Sequence, residues 1–377
     1  MGILKMKCKF TCFLVYLLLA TTTTLADDIF QISKSSAQKN FMKFSSVYQS
    51  WTFAGDVDFS ELSFPVFMIF QPRRDLSVSL LASQSSVRGD GLQTLKGFSD
   101  TQVQLNYRPR GYNLVFHLGF NLPSGKKHLT EEEFETSLVL SQNVFDFQIP
   151  NLGQGFNLSA GLSWATRLND QLVVGLGASY QYRGPYRALN DLLDDYKPGT
   201  EVLFTGGLDI RLNNTTSFST DIIFTHFGTD RIGADQVFAP GNRVVFNAQF
   251  RKYFNFNELW LFARYRNRSK NQRAVQIGGD LLTEDQKTFP SHFEFKGHYR
   301  VRMKRSLYIK LVLDGRFYQE TSTDFSGINL FGVGLAPEFS LSRNLILPVT
   351  LKYFTGGDKN GENISGFQFG LGLGYFF

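Results

Sequence analysis

The sequence predicts an all-β fold, a transmembrane, antiparallel, up-and-down β-barrel of about sixteen strands. Three observations predict it. The sequence closes on Phe367-Gln-Phe-Gly-Leu-Gly-Leu-Gly-Tyr-Phe-Phe377, with large apolar side chains at every odd position and Gln or Gly at most even ones. This is the period of a strand with two unlike faces. Alternating segments of about 10–14 residues recur before it, the length of tilted membrane strands rather than of the shorter strands of globular sheets. Short turns and longer polar loops alternate between them, as in a closed up-and-down barrel; a soluble sandwich has no reason to do this.

Met1 to about Ala26 reads as a secretory signal. Lys5, Lys7 and Lys9 come first, an apolar stretch runs from Phe10 to Ala20, and Thr24-Leu25-Ala26 offers small residues for cleavage. A retained anchor is the alternative, but the apolar stretch is short for a spanning helix. Cys8 and Cys12 both fall inside the signal, so the exported chain has no cysteine. Disulfides, thiolate nucleophiles and thiolate metal sites are excluded together. Loss of the three signal lysines, with no acid among those residues, takes the formal charge from +6 to +3, which is not a nucleic-acid-binding balance. No later stretch reaches the roughly 18 apolar residues of a membrane helix, so any crossing has to use strands. Residues 27–40 are then a short periplasmic or plug segment, and 41–377 the barrel.

In order, alternation places strands at 41–51, 57–70, 75–84, 98–108, 111–121, 154–167, 171–183 and 201–212. The second half follows at 216–226, 241–253, 258–267, 292–304, 306–319, 328–341, 343–355 and 365–377. Short turns rich in Pro, Gly and Asn mark one end: Gln71-Pro-Arg-Arg74, Arg108-Pro-Arg-Gly111, Asn169-Asp170, Asn213-Asn-Thr215, Lys304-Arg305 and Ser342-Arg343. The opposite end carries the long connections.

The terminal Phe377, the aromatic Tyr375 two before it and Gly372 further back resemble the assembly signal of bacterial outer-membrane proteins. That resemblance implies outer-membrane localisation and the barrel assembly machinery as a partner. Gly97-Phe-Ser-Asp100, the strand end Asn106-Tyr107, Gly119-Phe-Asn-Leu-Pro-Ser-Gly-Lys126 and the Gly-rich hairpin at 154–183 carry a second likeness. They are similar to putative transporter barrels linked to aromatic-compound (meta-pathway) degradation and, more distantly, to long-chain fatty-acid transporters. This likeness covers less than a quarter of the chain. The fatty-acid transporters have fourteen strands, so Asp27 to Ser50 is alternatively a short interior plug before fourteen.

If the apolar parity faces lipid, the other parity lines the lumen. Residues 292–304 then send Phe293, Phe295, Tyr299, Val301 and Met303 outward and His292, Glu294, Lys296, His298, Arg300, Arg302 and Lys304 inward. The next strand sends Tyr308, Lys310, Asp314, Arg316 and Tyr318 inward, and two preceding strands add Arg243, Gln249, Arg251, Arg264 and Arg266. The predicted pore-lining basic wall is therefore Arg243, Arg251, Arg264, Arg266, Lys296, His298, Arg300, Arg302, Lys310 and Arg316. Arginine suits it because its fork offers several donors to a carboxylate or phosphate at any ordinary pH. The facing wall is polar and nearly uncharged: Ser77, Ser79, Asp100, Gln102, Gln104, Asn106, Asn113 and His117. Glu61, Asp209, Asp221, Glu294, Asp314 and Glu338 pair with some of the bases. The alternative is that the arginines only brace the barrel through such pairs.

The longest connection, 122–153, is third among the outer loops. Thr130 followed by Glu133 forms a capping box, which predicts a short helix from 131. In general porins the third loop folds inward and sets an acidic edge against a basic wall. This loop resembles that plan, with Glu131, Glu132, Glu133 and Glu135 as the constriction. The alternative is a solvated outer helix.

Enzymatic readings fare poorly. Asp221 and His226 have opposite parity on one strand and cannot share a substrate. No His, Asp and Glu set has a metal spacing, and His292 with His298 reads as a wall pair. The glycines of residues 370–374 precede no helix and fall on one strand face, unlike a dinucleotide loop. The sequence thus points to no enzyme, cofactor or metal, and to no nucleic-acid partner. It points to an outer-membrane channel for passive diffusion of small solutes, anion- or aromatic-acid-preferring, with lipid and a small-molecule solute as partners. The alternatives are a transporter for hydrophobic compounds, with a lateral wall gap at Pro65 or Pro337, or a structural or adhesive barrel.

Overall fold

A computed structural model describes residues 40–53, 57–126, 128–142, 144–148, 152–187, 194–274, 278–321 and 326–377. The signal expected at 1–26 and the segment 27–39 lie outside the described residues. From Asn40 onward the alternation becomes one sheet. Strands β1 (Phe41–Phe53), β2 (Val57–Arg73) and β3 (Leu76–Gly89) pair in sequence, and β4 (Leu92–Phe98) and β5 (Thr101–Tyr107) share the long β3 between them. These two are halves of one strand, interrupted at Ser99 and Asp100. Then come β6 (Leu114–Leu122), the helix α1 (Glu131–Gln142), β7 (Asn157–Arg167), β8 (Leu172–Arg183), β9 (Tyr196–Lys197), β10 (Glu201–Arg211) and β11 (Thr216–Phe227). The loop strands β12 (Asp230–Ile232) and β13 (Asp235–Ala239) precede β14 (Arg243–Phe254) and β15 (Asn257–Arg268). Further loop strands β16 (Gln272–Ala274) and β17 (Leu281–Thr283) precede β18 (His292–Lys304), β19 (Leu307–Tyr318), β20 (Asn329–Ser340), β21 (Leu345–Gly357) and β22 (Asn363–Phe376).

Closure is made by β22 lying antiparallel on β1, from Phe41 opposite Phe376 to Phe53 opposite Ile364. With β4 and β5 counted as one position, the sheet is the sixteen-strand closed barrel that the alternation predicts, not the fourteen-strand alternative. The strand boundaries follow the sequence reading to within a few residues, with one correction. The hairpin of β3 and β4 extends well beyond the expected end at residue 84 and start at 98, because Asp90-Gly91, with Gly91 at φ 72°, makes a hairpin turn that the reading passed over. A second feature was not anticipated. Three outer loops build their own five-stranded sheet, in the order β9, β12, β13, β16, β17. Tyr196 donates to Asp230, whose other oxygen takes the Gly199 amide at 2.6 Å. Burial, and then the Asp230 carboxylate, push the Tyr196 phenol well above its ordinary range, so it remains a donor.

The two faces behave as the parity demands. On β22 the odd residues from Phe367 to Phe377 are exposed, whereas Ile364, Gln368 and Phe376 are buried inward. The inward glycines make room. A Cβ on Gly366 would stand 2.4 Å from the Trp51 ring, and one on Gly374 3.0 Å from Phe41. The lumen is nevertheless not polar throughout, which corrects the expected in-and-out division. Trp51, Phe59, Val87 and Leu95 from one side, and Ile328, Leu330, Phe354 and Ile364 from the other, form an inward apolar cluster toward the loop end. Gly366→Ala should therefore destabilise the barrel by about 1–3 kcal/mol, since the new methyl has to displace a packed indole. The urea midpoint of the detergent-solubilised protein checks this; an unshifted midpoint would mean that Trp51 moves aside at no cost.

Candidate functional site

The inward apolar cluster is there because something packs on it. The connection between β6 and β7 turns into the barrel, and Leu129, Leu140, Val144, Phe145, Phe147 and Leu152 join the cluster. Phe145 lies 5.1 Å from Trp51 and 5.8 Å from Phe59, ring to ring. The loop enters and leaves at one point. Asp100, placed by sequence on the uncharged wall, accepts the Gly125 amide at 2.9 Å and the Gln154 amide at 2.6 Å. It therefore clamps both ends of the plug at the break between β4 and β5. Only glycine fits where the ends meet, since a Cβ on Gly125 would lie 2.3 Å from the Leu152 carbonyl oxygen.

Of the two arrangements the sequence left open, an inward loop and a solvated outer helix, the connection packs inward, and the acid that meets the wall is not among the four expected. Thr130 and Glu133 do form the capping box, with both reciprocal bonds at 3.3 Å, and Glu133 pairs with Lys126. Glu131 and Glu132 are exposed to water, and the side chain of Glu135 lies outside the described structure. The acid that meets the basic wall is Asp146, which sequence reasoning missed. Its carboxylate lies 3.3 Å from both Lys296 and Arg316. Its backbone, at φ 53°, sits in the left-handed region that Asp tolerates better than most residues. The available signal was a lone acid between two aromatics, Phe145 and Phe147. Around it, Gln49 donates to the Asp146 carbonyl, Tyr318 to the Val144 carbonyl, and Glu61 accepts the Gln148 amide at 2.7 Å.

The ten residues of the predicted basic wall all lie on the barrel strands with inward parity. Six of them are tied to acids: Arg251 to Glu258, Arg264 to Glu294, Lys296 and Arg316 to Asp146, and Arg300 and Lys310 to Glu338. Arg316 also forks onto Asp314. All six are ion-paired, and for the most deeply buried of them, Arg264, Lys296 and Arg316, the pairing is what makes the buried charge tolerable. Arg300 also lies 3.7 Å over the Tyr308 ring, Arg302 lies over Phe256, and His298 stacks on Trp260. Arg243 and Arg266 have no acid within ion-pair distance among the described residues. Below the plug, Lys43, Arg300, Arg305, Lys310, Arg343 and Lys352 line a cavity of about 300 Å³ with Asp314 and Glu338. Its charge is net positive.

Asp221 and His226 do point to opposite sides, one buried and one exposed. A different relay is present that the sequence reading did not assemble. His117 lies 2.6 Å from Asn106 and 2.7 Å from Ser163, across β5, β6 and β7. Its geometry is that of a base and a nucleophile, yet Ser163 is 2% exposed. The strand amides around it are committed to the ladders on both sides. Among the described residues no group of three His, Cys, Asp or Glu side chains could hold a metal.

No protein-family model matches the chain, and no curated protein matches it. Solved structures do, at low identity. The monoaromatic hydrocarbon channel TodX, as a deletion mutant, is 9% identical with a TM-score of 0.47, covering 90% of each chain. OccK5 (OpdH) of Pseudomonas aeruginosa is 10% identical with a TM-score of 0.46, covering 90% of this chain and 98% of the other. An anion-selective porin from Comamonas acidovorans is 12% identical with a TM-score of 0.44, covering 89% and 98%.

Replacing Asp146 with Ala should free the plug, because Lys296 and Arg316 lose their shared partner and breaking a buried pair costs on the order of 3–5 kcal/mol. Limited proteolysis of the refolded protein should then cut within 128–148, while Glu131→Gln and Glu132→Gln leave the loop as resistant as before.

Proposed function

We propose that the protein is a bacterial outer-membrane channel through which small solutes diffuse passively, with a preference for anions. The observation that carries this reading is a single closed wall with two chemistries. Its outside presents large apolar side chains, among them Phe204, Phe246, Tyr265, Phe331, Tyr353 and Phe369, while its inside holds ionised groups and a positively charged cavity. Hydrocarbon tolerates such an outer face and forbids an open sheet edge, and closure through β1 and β22 removes the edge. Inside, arginine and lysine raise the local concentration of anions. Gly372, Tyr375 and Phe377 would be the stretch read by the assembly machinery, with export by the signal at 1–26.

The hydrophobic-carrier alternative placed a lateral gap at Pro65 or Pro337. Pro65 keeps register with Ser83 and Pro337 with Ile309 on one side, whereas on the other the β1–β2 pairing skips Phe64 and Pro65 and the β20–β21 pairing skips Ala336 and Pro337. The break at Ser99 and Asp100 between β4 and β5 is filled by the two ends of the plug.

Reconstituted in a planar bilayer, the protein should give discrete conductance steps with anion preference. Arg300→Gln, Arg302→Gln double substitution should lower the anion-to-cation permeability ratio several-fold, because Glu338 is left facing only Lys310 at 3.8 Å. Absence of any conductance from correctly folded protein would overturn the channel reading.

A further inference from the structure

We propose that Arg243, Arg266 and Arg268 form a binding subsite for a monocarboxylate carrying a flat apolar ring, the benzoate class. The proposal rests on the channel reading above and narrows it to one solute class. The three guanidiniums share the loop-end sector of β14 and β15: Arg243 lies directly across the ladder from Arg268, and Arg266 across from Val245. Like charges set opposite each other in a ladder repel, so an acid is expected between them. None stands there among the described residues. The acids of the sector make their direct contacts to other groups, Glu201 to Arg183 at 3.1 Å, Glu294 to Arg264 at 2.9 Å, and Asp230 to Tyr196 and Gly199, so that Glu201 acts on Arg243 and Arg268 only through space.

What the three do touch is weak. Arg243 reaches the Thr225 hydroxyl at 3.4 Å and Arg268 the Gly241 carbonyl at 3.3 Å, while the buried Nε atoms of Arg243 and Arg266 have no hydrogen-bond partner. A buried donor left unmade carries a desolvation penalty that an arriving acceptor relieves. A carboxylate is the matching acceptor, because its two oxygens meet the guanidinium fork in parallel.

The second half of the site selects the body of the ligand. The Phe227 ring lies 5.4 Å from the Arg243 Cζ and 4.9 Å from that of Arg268, and the Phe289 ring 4.8 Å from Arg268. Beside them on the inner wall, Leu203, Ile223 and Val245 form a buried apolar cluster of their own. Ile223 and Val245 face each other one position inward from the Thr225 and Arg243 pair on that wall. A small inorganic anion gains nothing from these surfaces, and a neutral ring gains nothing from the arginines. Only a ligand with both parts uses the whole site.

The test separates this site from the channel. Benzoate binding to the full chain in detergent micelles, measured by titration calorimetry, needs no conductance. Conductance in bilayers needs no benzoate. Benzoate should bind at least tenfold more tightly than acetate, chloride or benzyl alcohol. R266Q and R243Q should each weaken it about tenfold, R268K should fall between because it keeps charge but loses the fork, and the exposed turn variant R167Q should match the parent. Heat-modifiable migration on gels confirms that each variant is folded. Equal binding of benzoate and chloride, or benzoate binding unmoved by R243Q and R266Q together, overturns the site while leaving a conducting channel intact. Benzoate binding without conductance retains the site and removes the channel.

Discussion

Closure of the sheet by β22 against β1 is the constraint on which the rest of the structure depends. Every barrel strand except β4, which among the described residues pairs with β3 alone, then has a partner strand on both sides, and each residue is assigned to one of two media by its parity. The last strand shows the consequence most plainly. Its exposed aromatic and leucine side chains, and the glycines on its other face, follow from alternation, and Gly366 and Gly374 are needed because Trp51 and Phe41 of the first strand, with Ile346, occupy the space where side chains would be. The seam and the packing inside it are one device.

A barrel of this size cannot fill its lumen with wall side chains, and the loop between β6 and β7 takes up part of the space. Two kinds of interaction hold it. The aromatic contacts of Phe145 with Trp51 and Phe59 supply undirected burial, whereas Asp146 between Lys296 and Arg316 fixes where the loop stops. The charge cluster contributes little net stability if it is compared with an apolar equivalent, but loss of Asp146 removes the one acid that Lys296 and Arg316 share. It therefore acts as a position marker. The clamp at Asp100 does the same for the loop's two ends.

The electrostatics of the wall follow from this. Most of the bases counted along β14 to β19 are neutralised by acids that the strands or the plug supply, so the count of inward arginines overstates the field a solute would meet. The charge that stays uncompensated is concentrated at the mouth, near the loop-built sheet, and in the cavity below the plug.

The sequence by itself determined the barrel. Strand positions, the number around the ring and the inward and outward faces were legible because each is encoded locally, by a period of two and by the alternation of short and long gaps, whereas the sequence left the long loop open between folding inward and standing in solvent. It also placed Arg300, Arg316 and Lys296 on the inner face correctly, and read the Thr130 and Glu133 capping box. What it could not give was partnership. Asp146 and Lys296 are 150 residues apart, and Asn106, His117 and Ser163 come together only through the register of three strands. Parity fixes which way a side chain points, but the residue it meets depends on how far strands are staggered around the ring and how a loop folds back. Those are long-range quantities, so the tertiary structure alone decided which arginines are braced and which are left for a solute.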